Sequence, residues 1–176
     1  IFQLAEEHNV PCFSSSSLRF AKRTLGMRDD PQLGEVRGCQ RILSLEHGFL
    51  RGDDTDSHVD MLARFCNTHT IAYSACNDAT DEHFVPLQQM EAELRQLSTI
   101  TGQPYTLIAL PIPAPVYDAK GQRLPASYAN FLIANGQLLQ PVYAQDNDAH
   151  VIAIMRQVFP GREIVPVDSR SLISQN

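Results

Sequence analysis

The chain has 176 residues, a formal net charge of −6 and 43% hydrophobic residues. It is long enough to bury one sizeable core and too apolar to be intrinsically disordered. The acidic surplus argues against a general nucleic-acid or membrane-surface binder, either of which needs a basic face, and no apolar run nears the roughly 18 residues that span a bilayer.

Residues 1–38 show no clear period beyond a short helix-compatible start, Ile1 to Glu7. Glu6, Glu7 and His8 fit no signal peptide, so secretion is not expected. Cys12, Cys39, Cys66 and Cys76 lie far apart with no CxxC, which reads as reduced thiols in a cytoplasmic protein. RILSL (41–45) then reads as a short buried strand. His58 to Phe65 (HVDMLARF) alternates between polar and apolar and predicts a strand. A turn at Cys66-Asn67-Thr68-His69 and the β-rich TIAYSA (70–75) complete a hairpin. Leu87, Met90, Leu94 and Leu97 recur at three and four, which predicts an amphipathic helix stopped by Gly102. YTLIALP (105–111) is the next strand.

A Pro-rich stretch, PIPAPVYDAKGQRLPAS (111–127), is too broken for regular structure and has the character of a loop bordering a binding site. SYANFLIANG (127–136) predicts a strand ending in the turn Asn135-Gly136, with QLLQPVY (137–143) as its partner. Ile152, Met155 and Phe159 mark one face of a helix starting near Asp146 or Asp148. FPGRE ends that helix, and EIVPV (163–167) is a final strand. The order strand-strand-helix-strand thus occurs twice, about 70 residues apart, as in an internal repeat.

The chemistry concentrates in Arg51-Gly52-Asp53-Asp54-Thr55-Asp56-Ser57-His58-Val59-Asp60, with four carboxylates and a histidine in eight positions, 53–60. Like charges this close repel, so stability alone does not favour them. If His58 opens a strand, Asp60 points to the same side. A carboxylate can then accept a forked pair of hydrogen bonds from a planar guanidinium while the imidazole shuttles protons. A solvated acidic turn with an incidental histidine is the competing reading. A calcium loop would place ligands at Asp54, Asp56 and position 58, a glycine at 59 and a glutamate at 65; His58, Val59 and Phe65 do not fit. A zinc or iron site from His58, Asp60 and His47 is allowed by residue type but has no supporting spacing. His69 is expected in a turn, and His8, His83 and His150 on surfaces. Cys66 and Cys76 are expected as small core residues.

HGFLRGDDTDSHVDMLARF (47–65) resembles the signature of agmatine deiminases, members of the wider bacterial peptidylarginine-deiminase-like family. The resemblance runs on through LIALPIPAP, RLPASYANFLIANG and FPGREIVPVDSRSLISQN, so it covers residues 39–176 and leaves 1–38 as a poorly matched N-terminal segment. It implies an α/β fold: part of a five-bladed α/β propeller, a pentein, built from strand-strand-helix-strand modules around a polar channel. It also implies a reaction without metal or organic cofactor. A cysteine thiolate attacks the guanidinium carbon of agmatine, ammonia leaves, and water releases N-carbamoylputrescine, a step towards putrescine.

Carried over by position, His58 matches the general acid and base, and Asp60 and Asp54 match substrate-binding carboxylates. Asn130 lies in a motif near the site. The family's nucleophilic cysteine follows a QxGSxHC-like stretch that has no counterpart before Asn176, and a WxRD-like carboxylate motif is also missing. Ser44 stands where a tryptophan is usual. The expectation is a chain that is inactive by itself, whose substrate in the whole protein is a small cationic guanidine. Neither nucleic acid nor membrane is expected as a partner, and a homo-oligomer stays open. Arginine or peptidyl-arginine as substrate, and a non-catalytic fragment that binds a partner, are the alternatives.

Overall fold

The structure, a computed structural model, describes residues 12–13, 42–43, 45–53 and 58–175. Two strands of two residues, β1 (Cys12–Phe13) and β2 (Ile42–Leu43), pair in parallel. A one-turn helix α1 (Val59–Leu62) leads directly into β3 (Ala63–Asn67), which forms an antiparallel hairpin with β4 (Thr70–Ala75). Helix α2 (Phe84–Leu94) returns the chain, and β5 (Thr106–Pro111) pairs in parallel with β4. The pattern then repeats. β6 (Leu132–Ala134) and β7 (Gln137–Val142) form a hairpin, α3 (Asn147–Val158) crosses back, and β8 (Glu163–Asp168) pairs in parallel with β7. Each module is a three-stranded sheet with the second strand of its hairpin in the centre.

Local chemistry accounts for most of these elements. Asn135 and Gly136 adopt φ of 45° and 82°. A two-residue turn with both φ values positive matches the twist of the strands it joins, so β6 and β7 meet in register. Pro86 sits in the first turn of α2, where its missing N–H would have no intrahelical partner. Pro141 lies on the central strand β7, but β6 reaches only as far as Leu139 in the register. The missing donor therefore falls beyond the paired stretch of the hairpin.

Two apolar clusters make up the core. In the first, Leu87, Met90 and Leu94 of α2 pack on Ile71 and Tyr73 of β4, with Leu62, Phe65 and Tyr105 around them. In the second, Val151 and Met155 of α3 pack with Leu138, Tyr128, Phe131 and Phe159. Ala72 and Leu110, from the first module's sheet, belong to this second cluster. Successive strand residues face opposite ways, so α2 covers one face of the first sheet and the second module covers the other. That is why Thr70 to Ser74 are all buried, with no exposed alternate positions.

Four sequence expectations change. Residues 127–131 are not strand, and β6 covers only Leu132–Ala134. His58 to Leu62 is not strand. Met61, Leu62 and Ala63 are all buried, and consecutive strand residues could not all face one core. A helical turn solves this before β3 starts. Gly102 does not stop α2, which ends at Leu94; it sits at φ 80° in the turn between the bridged residues Ser98 and Pro104. His83 is not on the surface but 1% exposed. Among the described residues no helix is long and apolar enough to cross a membrane.

Candidate active site

The signature segment enters the site on an anchor. The Glu93 carboxylate accepts the backbone N–H groups of Glu46 and His47 at 3.0 and 3.2 Å and meets His47 Nδ1 at 2.6 Å. Gly48 and Gly52 follow, with φ of 120° and 89°. A Cβ on Gly52 would lie 2.4 Å from the Arg123 carbonyl oxygen, so only glycine lets the segment lie against the Pro-rich loop. Gly52→Ala should cost about 1–3 kcal/mol from the left-handed backbone alone. A urea midpoint equal to that of the parent protein would show that the approach is not needed.

His83 is the second anchor. Its Nε2 accepts the Arg51 backbone N–H at 2.8 Å, and its Nδ1 lies 2.6 Å from Asp81 Oδ1. The Arg51 donor uses the Nε2 lone pair, so the Nδ1–H donates to Asp81. Burial by itself would raise the Asp81 pKa. Hydrogen bonds from the His83 backbone and ring, with the charge of Arg123, outweigh burial and hold it below the usual range. Phe49 stacks on the His83 ring at 5.4 Å. A pocket lies between this node and the Pro-rich loop, lined by Leu50, Arg51, His83, Pro113, Arg123 and Leu124 among others. Neither His58 nor Asp60 lines it.

His58 caps the N-terminus of α1 in an extended conformation, and half of its side chain is exposed. Its backbone N–H donates to Asp53 Oδ2 at 2.8 Å, and its Nδ1 lies 3.8 Å from Asp53 Oδ1. The Asp53 side chain is only 6% exposed. Asp60 stands in the first turn of α1. The two-residue strand period that would align it with His58 does not apply there, since successive helical residues rotate by about 100°. The two make no hydrogen bond or ion pair with each other. Asp60 instead acts on Arg64: burial lowers the Arg64 pKa, and the Asp60 charge opposes that. The Arg64 guanidinium also lies 5.2 Å from the centre of the Phe131 ring. Asp54 lies outside the described residues.

Sequence reasoning missed Asp53 as the partner of His58, although the paired aspartates before the histidine carried the signal. It also missed the hydroxyls behind α1. Ser127 Oγ donates to the Met61 carbonyl at 2.6 Å and Ser74 Oγ does so at 3.1 Å. The thiols behave as small core groups. Cys76 is buried and Cys66 half-buried. Burial pushes the Cys66 thiol up to about 12, against the Ala72 backbone and Arg64, and raises that of Cys76 as well. Among the described residues no three His, Cys, Asp or Glu side chains converge as a metal cage; His47 is turned to Glu93.

Comparison with known proteins adds an independent line. A family profile described as Porphyromonas-type peptidyl-arginine deiminase matches residues 29–176. The agmatine deiminase of Stutzerimonas stutzeri is 29% identical over 158 residues, which is 80% of this chain and 43% of that protein. A solved structure named "Putative Arginine Deiminase from Porphyromonas gingivalis" is 43% identical, with a TM-score of 0.84 over 94% of this chain and 50% of that one. A Cys→Ser variant of the C. jejuni agmatine deiminase with substrate bound is 39% identical, with a TM-score of 0.81 over 94% of this chain and 48% of that one. The chain spans about half the length of the relatives it matches.

Proposed function

Because the chain belongs to the Porphyromonas-type peptidyl-arginine deiminase family, whose curated relatives include agmatine deiminases, we propose that the whole protein hydrolyses agmatine to N-carbamoylputrescine and ammonia. The observation that carries the reading is the signature at the head of the first module. There, a half-exposed His58 sits beside a helical turn bearing Asp60. In this proposal the two modules are blades of a five-bladed propeller and the remaining blades come from sequence outside residues 1–176. The repeated module and a match to half of each solved relative support that architecture.

The chemistry follows from the substrate. A guanidinium is a poor electrophile because its charge is delocalised. Asp60 and Asp54 accept its N–H groups in pairs and fix the plane of the carbon. A thiolate from outside this chain attacks that carbon. His58 gives a proton to the departing nitrogen, ammonia leaves, and an amidino group stays on sulfur. His58 then takes a proton from water as water adds to the same carbon, and collapse expels the thiolate with the urea product.

The test is release of ammonia and N-carbamoylputrescine by the whole protein. Asp60→Asn should lower kcat/KM more than tenfold, since a lost charge-assisted pair costs about 2–5 kcal/mol when desolvated. An unchanged kcat/KM would remove Asp60 from the site. Arginine as substrate is the second reading, favoured by the name of the Porphyromonas gingivalis structure. Its α-carboxylate needs a cationic partner that agmatine does not, so kcat/KM for the two compounds side by side separates the readings.

A further inference from the structure

α1 has only four residues, and a helix this short has no stability of its own. It is closed by Met61 N–H to His58 O at 3.0 Å and by Ala63 N–H to Val59 O. Its Met61 carbonyl, at the C-terminal end, has no intrahelical donor because β3 begins two residues on. Two buried hydroxyls serve it instead, Ser74 from β4 and Ser127 from the loop entering the second module, at 1% and 0% exposure. The 2.6 Å bond takes the single proton of Ser127. Ser74 lies 3.1 Å from both Met61 O and Ser127 Oγ, so its proton bridges the pair. Alanine would fill the same volume without desolvating a hydroxyl, so packing alone gives no reason for two serines here.

Ser127 is itself pinned. Its backbone N–H donates to the Tyr143 hydroxyl and its carbonyl accepts from it, both at 3.0 Å. Asp148 at the start of α3 accepts the Tyr128 hydroxyl at 2.6 Å and the Tyr143 N–H at 3.1 Å. A rigid chain of contacts therefore runs from α3 of the second module to the carbonyl adjacent to Asp60 in the first.

We propose that Ser127, assisted by Ser74, is a positioning residue for Asp60: by holding the Met61 carbonyl it fixes the helical turn that aims the carboxylate at the guanidinium. The proposal rests on the reading of Asp60 as a guanidinium-binding carboxylate. It also gives RLPASYANFLIANG a role at the site without touching substrate.

Ser127→Ala in the whole protein should raise the agmatine KM about tenfold while kcat stays within about threefold, as loss of one strong hydrogen bond behind a binding group would do. Because Ser127 acts through Asp60, Ser127→Ala combined with Asp60→Asn should be no more than about twofold worse than Asp60→Asn alone. An unchanged KM, or losses that multiply, would overturn the proposal. Ser74→Ala disturbs less and guards against a Ser127 variant that does not fold; it should raise KM by about threefold, and no rise would count against the clamp. Amide exchange at Met61 and Ala63 reads the turn without any substrate. It should accelerate in both variants, and unchanged exchange would refute the clamp. If Asp60→Asn keeps full activity, the reading of Asp60 fails, and exchange at those two amides still decides whether Ser127 holds the turn.

Discussion

Assayed by itself, the 176-residue chain should release no ammonia from agmatine above the blank. Deimination by this route needs a thiolate poised at the guanidinium carbon, and the described thiols cannot supply one. Burial pushes Cys66 up to about 12, and a thiol with so high a pKa is ionised in only about one molecule in a hundred thousand at neutral pH. Cys76 is buried and shifted the same way. Cys12 precedes the profile match over residues 29–176 and Cys39 lies within it, but neither follows a GSxHC-like stretch. A thiol that reaches substrate by diffusion also forgoes the roughly 7–11 kcal/mol that an organised site gains from proximity. Iodoacetamide at neutral pH should leave Cys66 and Cys76 unlabelled in the folded chain. Ammonia release that disappears on a single Cys→Ser change would place the nucleophile within this chain. Release that survives all four changes would defeat the thiol route altogether.

His58→Ala in the whole protein should lower kcat by a factor of about 10² to 10⁴, the usual contribution of a positioned acid–base group. The fold should hardly notice. The side chain is half exposed, and among the described residues its ion pair is to Asp53 at 3.8 Å, while the Asp53 carboxylate also accepts the His58 backbone N–H, a bond that survives the substitution. Thermal midpoints of the two proteins should therefore agree within a few degrees. A kcat within threefold of the parent would take His58 out of the reaction, and a large drop in midpoint would assign it to structure. Because His58 acts on leaving group and water, the drop should appear in kcat more than in KM.

Several elements could be read from the chain alone because neighbours in sequence decide them. Asn135-Gly136 needs only its own two φ values to fold the hairpin. Leu87, Met90 and Leu94 line up on α2 by helical periodicity, wherever the helix then docks. The doubled strand-strand-helix-strand order follows from such local signals in series, and the acidic cluster around His58 stood out by composition as a candidate site. What the periods could not reach depends on residues far apart in sequence. α1 exists because the first module's core takes Met61, Leu62 and Ala63 together, which breaks the alternation that suggested a strand. His83 is buried because the signature segment lies over it and offers the Arg51 amide. Ser127 meets Met61 across 66 positions, and Ala72 faces the second module's core. A hydrophobic period records which side of an element is apolar, but not which distant donor will find a buried carbonyl. That choice is made when the two modules close on each other and every polar group caught between them must have a partner.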